Sequence, residues 1–392
     1  MRYLLLRMKR FCGFITGFVF FLSGIVKLMD PVGAGLVMKE YYEFLHLGFL
    51  GFSAKFMGVF FALAETVIGT ALITGVWRRA VAQCAIALQS FFTLLTLLLV
   101  IFNPEMDCGC FGEAIHLTHG ETFVKNIILL ALLLTYYIPR KHLGETRKKK
   151  YVSFALVTVS VLAFTVYSWV YIPMIDFTAY KAGAELQAGA TVNADELYES
   201  VFTYEKDGIQ QDFTLGHLPD STWTFVNVST RLKEGREDSL VGLSFYSEST
   251  GEYMDTLAIE GKVMVVSVYD PDMSAKKWNR IENFIRRSQE AGFTTLLLTT
   301  STEGVPAGMA ASAFISDYKT LISLNRSNGG ATYFNDGELV RKWARANAPS
   351  SKTELDELQS TDATEIAIAK DSKGSLGFQG FLLYVFAVML LL

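Results

Sequence analysis

Apolar positions along this chain follow two different patterns, one in each half. In the first half, uncharged runs recur over residues 11–26, 80–104, 126–139 and 151–175, with residues 56–77 interrupted only by Glu65. The chain closes on one more uncharged run, residues 374–392. A helix that crosses a bilayer needs about 20 mostly apolar residues. The runs therefore predict six crossing helices, grouped as four, one and one. The fourth is long enough only if it starts near Glu121.

Between the fifth and sixth runs the pattern changes to short strands and turns. Val201-Phe202-Thr203-Tyr204, the turn signal Lys206-Asp207-Gly208 and Asp212-Phe213-Thr214-Leu215 predict a hairpin. Thr222-Trp223-Thr224-Phe225-Val226 reads as another strand, so residues 195–245 are expected to be β-rich. Lys262 to Tyr269 is almost continuously apolar, the signature of a strand buried on both faces. Residues 274–291 have helical spacing, with Trp278, Ile281, Phe284 and Ile285 on one face. Gly292 ends that helix and Phe293 to Leu298 form the next buried strand, completing a βαβ unit. Gly330 to Phe334, Asn335-Asp336-Gly337 and Glu338 to Trp343 then predict a tight hairpin.

Composition and charge sharpen this division. Across 392 residues, 51% are apolar and 19% charged, and the mean hydropathy is +0.30, which excludes a wholly soluble protein. A net charge of −4 gives no reason to expect a nucleic-acid partner. Residues 1–173 hold 16 Lys and Arg against 9 Asp and Glu, whereas residues 174–392 hold 19 against 30. Three basic clusters fall on one side of the expected helices: Arg2, Arg7, Lys9 and Arg10; Arg78 and Arg79; and Arg140, Lys141, Arg147, Lys148, Lys149 and Lys150. The positive-inside rule then puts both termini in the cytoplasm, with residues 103–121 and 174–373 outside it. A cleaved signal peptide is the competing reading of residues 1–26, but no small-x-small site closes them.

All four cysteines lie in the membrane half. Cys108 and Cys110 stand in Asp107-Cys108-Gly109-Cys110-Phe111-Gly112, just past the third run and outside the cytoplasm. Thiols in an oxidising compartment tend to pair. A Cys-x-Cys disulfide closes a small strained ring, and strain makes such a bond easy to reduce. So short a loop contributes little stability, which favours thiol exchange over a structural staple. A metal reading competes, because Cys108, Cys110, His116 and His119 supply ligands suited to zinc or copper, although not at a common zinc spacing. Cys12 and Cys84 are expected to be small buried hydrophobes. Glu65, a carboxyl in mid-membrane, is a functional candidate, with Gln83 and Gln89 as candidate partners. Lys27 beside Asp30 reads as a lysine that snorkels to the membrane surface.

These residues carry a resemblance. Ser23-Gly24-x-x-Lys27-x-x-Asp30-Pro31, Glu65-x-x-x-Gly69, the Asp107-to-Gly112 segment and Glu121-Thr122-Phe123-x-Lys125-Asn126 make residues 1–140 similar to the DoxX-like superfamily, and within it to MauE-type membrane proteins. The resemblance implies a four-helix membrane bundle associated with redox maturation of extracytoplasmic proteins, MauE itself with that of an amine dehydrogenase. Methylamine is not implied, since no substrate-specific residue carries over. His116 and His119 are not part of the pattern. Residues 255–347 resemble a thioredoxin-like domain, but Asp270-Pro271-Asp272-Met273-Ser274 stands where Cys-x-x-Cys would be. Pro173-x-x-Asp176-Phe177 accompanies that fusion.

The expected fold is thus a membrane α-helical bundle with an α/β thioredoxin-like extracytoplasmic domain preceded by a β-rich segment. Residues 1–140 form the four-helix core, 151–173 a fifth crossing, 174–250 the β-rich segment, 255–347 the thioredoxin-like domain, 348–373 a linker and 374–392 the last crossing. The expected location is the bacterial inner membrane, with the large domain periplasmic and lipid around the helices. The expected function is thiol–disulfide exchange by Cys108 and Cys110 on an extracytoplasmic client protein with thiols. Glu65 assists proton transfer, and a quinone is the candidate electron acceptor by analogy with membrane thiol oxidases. The alternative is a non-enzymatic assembly or docking protein with a structural cysteine pair.

Overall fold

The computed structural model describes residues 2–104, 106–138, 146–186, 198–206, 209–214, 223–232 and 240–391. They divide into two units, Met1–Phe177 with Ala369–Leu392, and Thr178–Ile368. Arg140 and Lys141 of the third basic cluster, Asp207-Gly208, Leu215 and Thr222 lie outside the described residues.

The first unit is helical: α1 (Arg2–Met29), α2 (Pro31–Phe44), a 3₁₀ turn (Gly48–Ser53), α3 (Ala54–Thr74), α4 (Arg78–Phe102), α5 (His119–Tyr137) and α6 (Lys148–Val170). Among the described residues, five helical stretches are long and apolar enough to cross a membrane: Arg7–Met29, Gly48–Thr74, Arg78–Phe102, Lys148–Val170 and Ala363–Leu391. The expected fourth crossing exists as α5 but is not among them, because His119, Glu121, Lys125 and Asn126 dilute its first turns. The structure also contains α2, which the hydropathy reading lacked. Its start is set locally: the Asp30 carboxylate accepts from Gly33 N at 2.9 Å, and Pro31 occupies the first turn.

Small residues hold α1 against α3. A Cβ on Gly24 would lie 2.2 Å from Thr66 Oγ1, and one on Gly69 would lie 2.5 Å from Phe21 N. Such contacts permit close backbone approach where the bilayer supplies no hydrophobic drive between helices. Around this crossing two apolar cores form. One packs Phe20, Leu72, Ala82, Leu133 and Tyr136; the other packs Phe21, Ile25, Val157, Phe164 and Val385.

The second unit is an α/β domain. An antiparallel sheet of three strands, β3 (Tyr198–Lys206), β4 (Ile209–Thr214) and β5 (Thr224–Leu232), has the order β4-β3-β5. A larger sheet joins β2 (Glu185–Leu186), β6 (Leu240–Val241), β7 (Tyr246–Ser247), β8 (Lys262–Val268), β9 (Thr294–Thr299), β10 (Ala313–Ile315), β11 (Gly330–Asn335) and β12 (Glu338–Trp343). Its order is β6-β2-β12-β11-β8-β9-β10-β7. β8 and β9 are parallel and linked by α7 (Ala275–Glu290), while β11 runs antiparallel to both β8 and β12. The expected βαβ unit and hairpin are therefore both present. β8 is almost continuously apolar because it is covered on both faces. Met264, Val266 and Val268 pack against Trp278, Ile281 and Phe284, whereas Val263 and Val265 pack against Leu321, Leu324 and Phe245. The segment expected as a linker instead carries a helix, Lys352–Ser360, whose Leu355 and Leu358 join that core. The final helix, Ala363–Leu391, starts well before the uncharged run.

Candidate functional site

The candidate residues converge at one end of the α1–α3 crossing. Ser23 and Lys27 are one helical turn apart on α1 and share a face. The glycine contacts press that face onto Glu65 of α3. Lys27 Nζ stands 2.7 Å from Glu65 Oε1 and 2.9 Å from Oε2. The two side chains are only 15% and 4% exposed. The Ser23 hydroxyl lies 2.7 Å from Glu65 Oε2 and 2.7 Å from the Cys110 carbonyl oxygen. A hydroxyl has one proton to donate. Ser23 therefore serves one of these two oxygens at a time.

The cysteine loop is pinned from the other side by α2. Tyr41 donates to the Cys108 carbonyl oxygen at 3.0 Å. Gly109 adopts φ +61°, and a Cβ there would lie 2.2 Å from Val37 Cγ1, so only glycine fits. Gly112 N donates to Gly109 O at 3.2 Å and closes the turn. Cys110 then begins a short strand, β1 (Cys110–Glu113). Burial raises the Cys108 thiol above its ordinary value. Burial likewise raises the Tyr41 phenol, which stays protonated.

Several expectations change here. Lys27 does not snorkel: it pairs with Glu65, because the close crossing offers a buried carboxylate nearer than the membrane surface. Gln83 and Gln89 are not partners of Glu65. Gln83 donates to Tyr137 Oη at 3.0 Å and Gln89 to the Asn126 carbonyl at 3.1 Å. Cys84 is exposed rather than buried, since the buried face of α4 runs through Val81, Ala82, Ala85 and Gln89. Cys12 is half-buried, and all four cysteines are unbridged thiols.

The histidines point elsewhere. His116 Nδ1 lies 3.1 Å from Asp107 Oδ2, and His119 Nε2 lies 2.9 Å from the Met106 carbonyl oxygen. Among the described residues, no three His, Cys, Asp or Glu side chains are grouped to hold a metal ion.

The other motif residues have structural roles. Glu121 forms a capping box with Thr118, Asn126 donates to Thr96 Oγ1 at 3.2 Å, and Lys125 lies 4.9 Å from the centroid of Phe111. Tyr41 lay outside every motif and had no sequence signal; Ser23 had one, its place four residues before Lys27. In the second unit, Asp270 and Asn328 tie the loop where Cys-x-x-Cys would stand to the loop before the hairpin, at 3.2 and 2.6 Å.

A cavity of about 440 Å³ opens between α1 and α5. Ser23, Lys27, Tyr41, Glu65, Cys108 and Cys110 all line it, and most of the remaining wall is apolar.

A family model described as methylamine utilisation protein MauE matches residues 2–139, about a third of the chain. With the apolar helices, this match fits a multi-pass membrane protein of MauE type. A second model, described as a domain of unknown function (DUF8463), matches residues 198–235, the segment that carries β3, β4 and β5. No curated protein and no solved structure matches the chain.

Proposed function

We propose that this membrane protein is a thiol–disulfide redox protein acting in the maturation of extracytoplasmic clients through Cys108 and Cys110. One observation carries the reading: both cysteines line the same cavity as a buried ion pair, and Ser23 links that pair to the cysteine loop. In the reaction, a client thiolate attacks one sulfur of the Cys108–Cys110 disulfide and forms a mixed disulfide. The second client thiolate then resolves it, leaving an oxidised client and two reduced cysteines. The departing thiolates take up two protons, and Glu65 with Ser23, which bonds to the Cys110 carbonyl oxygen, is the pair proposed to handle them. The name MauE belongs to methylamine utilisation; the context proposed for this chain is the maturation step and not the amine.

In this reading α5 is a further crossing, making six, with both termini cytoplasmic and the second unit periplasmic in a bacterial inner membrane. The three basic clusters support that orientation. The order β9-β8-β11-β12, with its parallel pair and antiparallel hairpin, supports a thioredoxin-like domain. Lacking cysteine, that domain serves to dock the client.

Differential alkylation with mass spectrometry on isolated membranes tests the reading. The expected result is a Cys108–Cys110 pair that interconverts under mild reductant and a client mixed disulfide trapped by Cys110→Ala. A pair inert to reductant, with unchanged client oxidation in a Cys108→Ser/Cys110→Ser variant, would leave the docking role in its place.

A further inference from the structure

We infer that the cavity between α1 and α5 is a binding site for a lipid-soluble quinone, which takes the electrons of the reduced Cys108–Cys110 pair. This deepens the redox reading and rests on it. Its volume, about 440 Å³, falls within the roughly 300–1,000 Å³ of small-molecule sites and suits a substituted aromatic ring. The lining is suited to a flat apolar ligand: Phe61, Phe91, Phe92 and Tyr41 surround the space, and Phe61 stacks on Phe91 with ring centroids 5.8 Å apart.

Access points to the bilayer. The 3₁₀ turn and the start of α3 line the cavity with Leu47, Leu50, Met57 and Phe61, while neighbouring Phe49, Phe52, Phe56 and Phe60 are exposed. Those outward rings belong to a stretch apolar enough to lie in a membrane. The wall on this side is therefore apolar within and without, which admits a membrane-dissolved molecule and opposes a hydrated one. The polar groups are few and placed where a quinone needs them. Two of the three N–H groups of Lys27 suffice for the Glu65 oxygens; the third provides a hydrogen bond to a quinone carbonyl oxygen.

The step balances. Two S–H bonds break and one S–S bond forms between Cys108 and Cys110. The two electrons and two protons released convert quinone to quinol, and the two oxygens of the ring receive the protons. No further oxidant is required.

The test uses the full-length protein in nanodiscs. Dithiothreitol-reduced protein, freed of reductant, is mixed with decylubiquinone, and ultraviolet absorbance reports quinol while mass-tagging reports thiols. The expected result is one quinone reduced per two thiols lost, slowed about tenfold by Leu95→Trp, which fills the cavity. In parallel, an azidoquinone is photolysed with the Cys108→Ser/Cys110→Ser variant, where binding does not depend on the thiols. Labelling of α2–α4 peptides that decylubiquinone competes away is expected. Thiols that oxidise with oxidised glutathione but neither reduce quinone nor show competed labelling would overturn the site and leave the redox reading standing. Thiols inert to both oxidants would remove that reading, and with it this one.

Discussion

Lys27 and Glu65 are 38 positions apart in the chain and 2.7 Å apart across the α1–α3 crossing. The ammonium reaches both carboxylate oxygens, and the Ser23 hydroxyl bonds to the second of them. Breaking a buried pair from one side leaves an uncompensated charge and costs about 3–5 kcal/mol. Lys27→Met or Glu65→Met alone is expected to destabilise the membrane unit by that order. The double variant is expected to recover most of the loss. Reversible unfolding in mixed micelles checks this; losses that simply add in the double variant would contradict the pairing.

The crossing depends on Gly24, where a Cβ would lie 2.2 Å from Thr66 Oγ1 and 2.6 Å from the Ala62 carbonyl oxygen. Gly24→Ala is expected to push the helices apart at a cost of about 1–3 kcal/mol. The separation would also expose Lys27. Amine labelling of intact protein, read by peptide mass spectrometry, should therefore rise at Lys27 in this variant.

Gly109 combines a left-handed backbone with a tight contact on Val37. Gly109→Ala is expected to carry both penalties, with the backbone share about 1–2 kcal/mol. Val37→Ala should relieve the clash but not the backbone cost. The double variant is therefore expected to regain part of its stability in the same unfolding measurement, and full recovery would argue against the left-handed turn.

Burial raises the Cys108 thiol above its ordinary value. Alkylation consumes the thiolate, and a raised value means less thiolate at any given pH. In a Cys110→Ser background, iodoacetamide should modify Cys108 more slowly at pH 7 than an unstructured thiol, with the pH–rate curve displaced upward. A curve displaced downward would contradict the burial of the thiol.

Much of the fold was legible because its signals are local. Uncharged length marks a crossing helix, and the tight-turn signal Asn335-Asp336-Gly337 between two short runs marks the β11–β12 hairpin. Helix α2 was missed for a related reason: its polar Lys39, Glu40 and Glu43 break the apolar run, and its start is set by the Asp30 cap rather than by hydropathy. The boundary of α5 was blurred in the same way by Glu121 and Lys125.

The sequence by itself determined where apolar and charged residues alternate, hence the membrane half, the strand-and-helix order of the α/β domain and the confinement of every cysteine to the first half. It also singled out Glu65, Cys108 and Cys110. Only the tertiary structure decided that Glu65 pairs with Lys27 rather than with a glutamine, that Ser23 and Tyr41 hold the cysteine loop, and that all of them line one cavity. Hydropathy reports on each helix against its surroundings. Which faces meet depends on Gly24 and Gly69 letting two distant segments approach, a relation that no window along the chain contains.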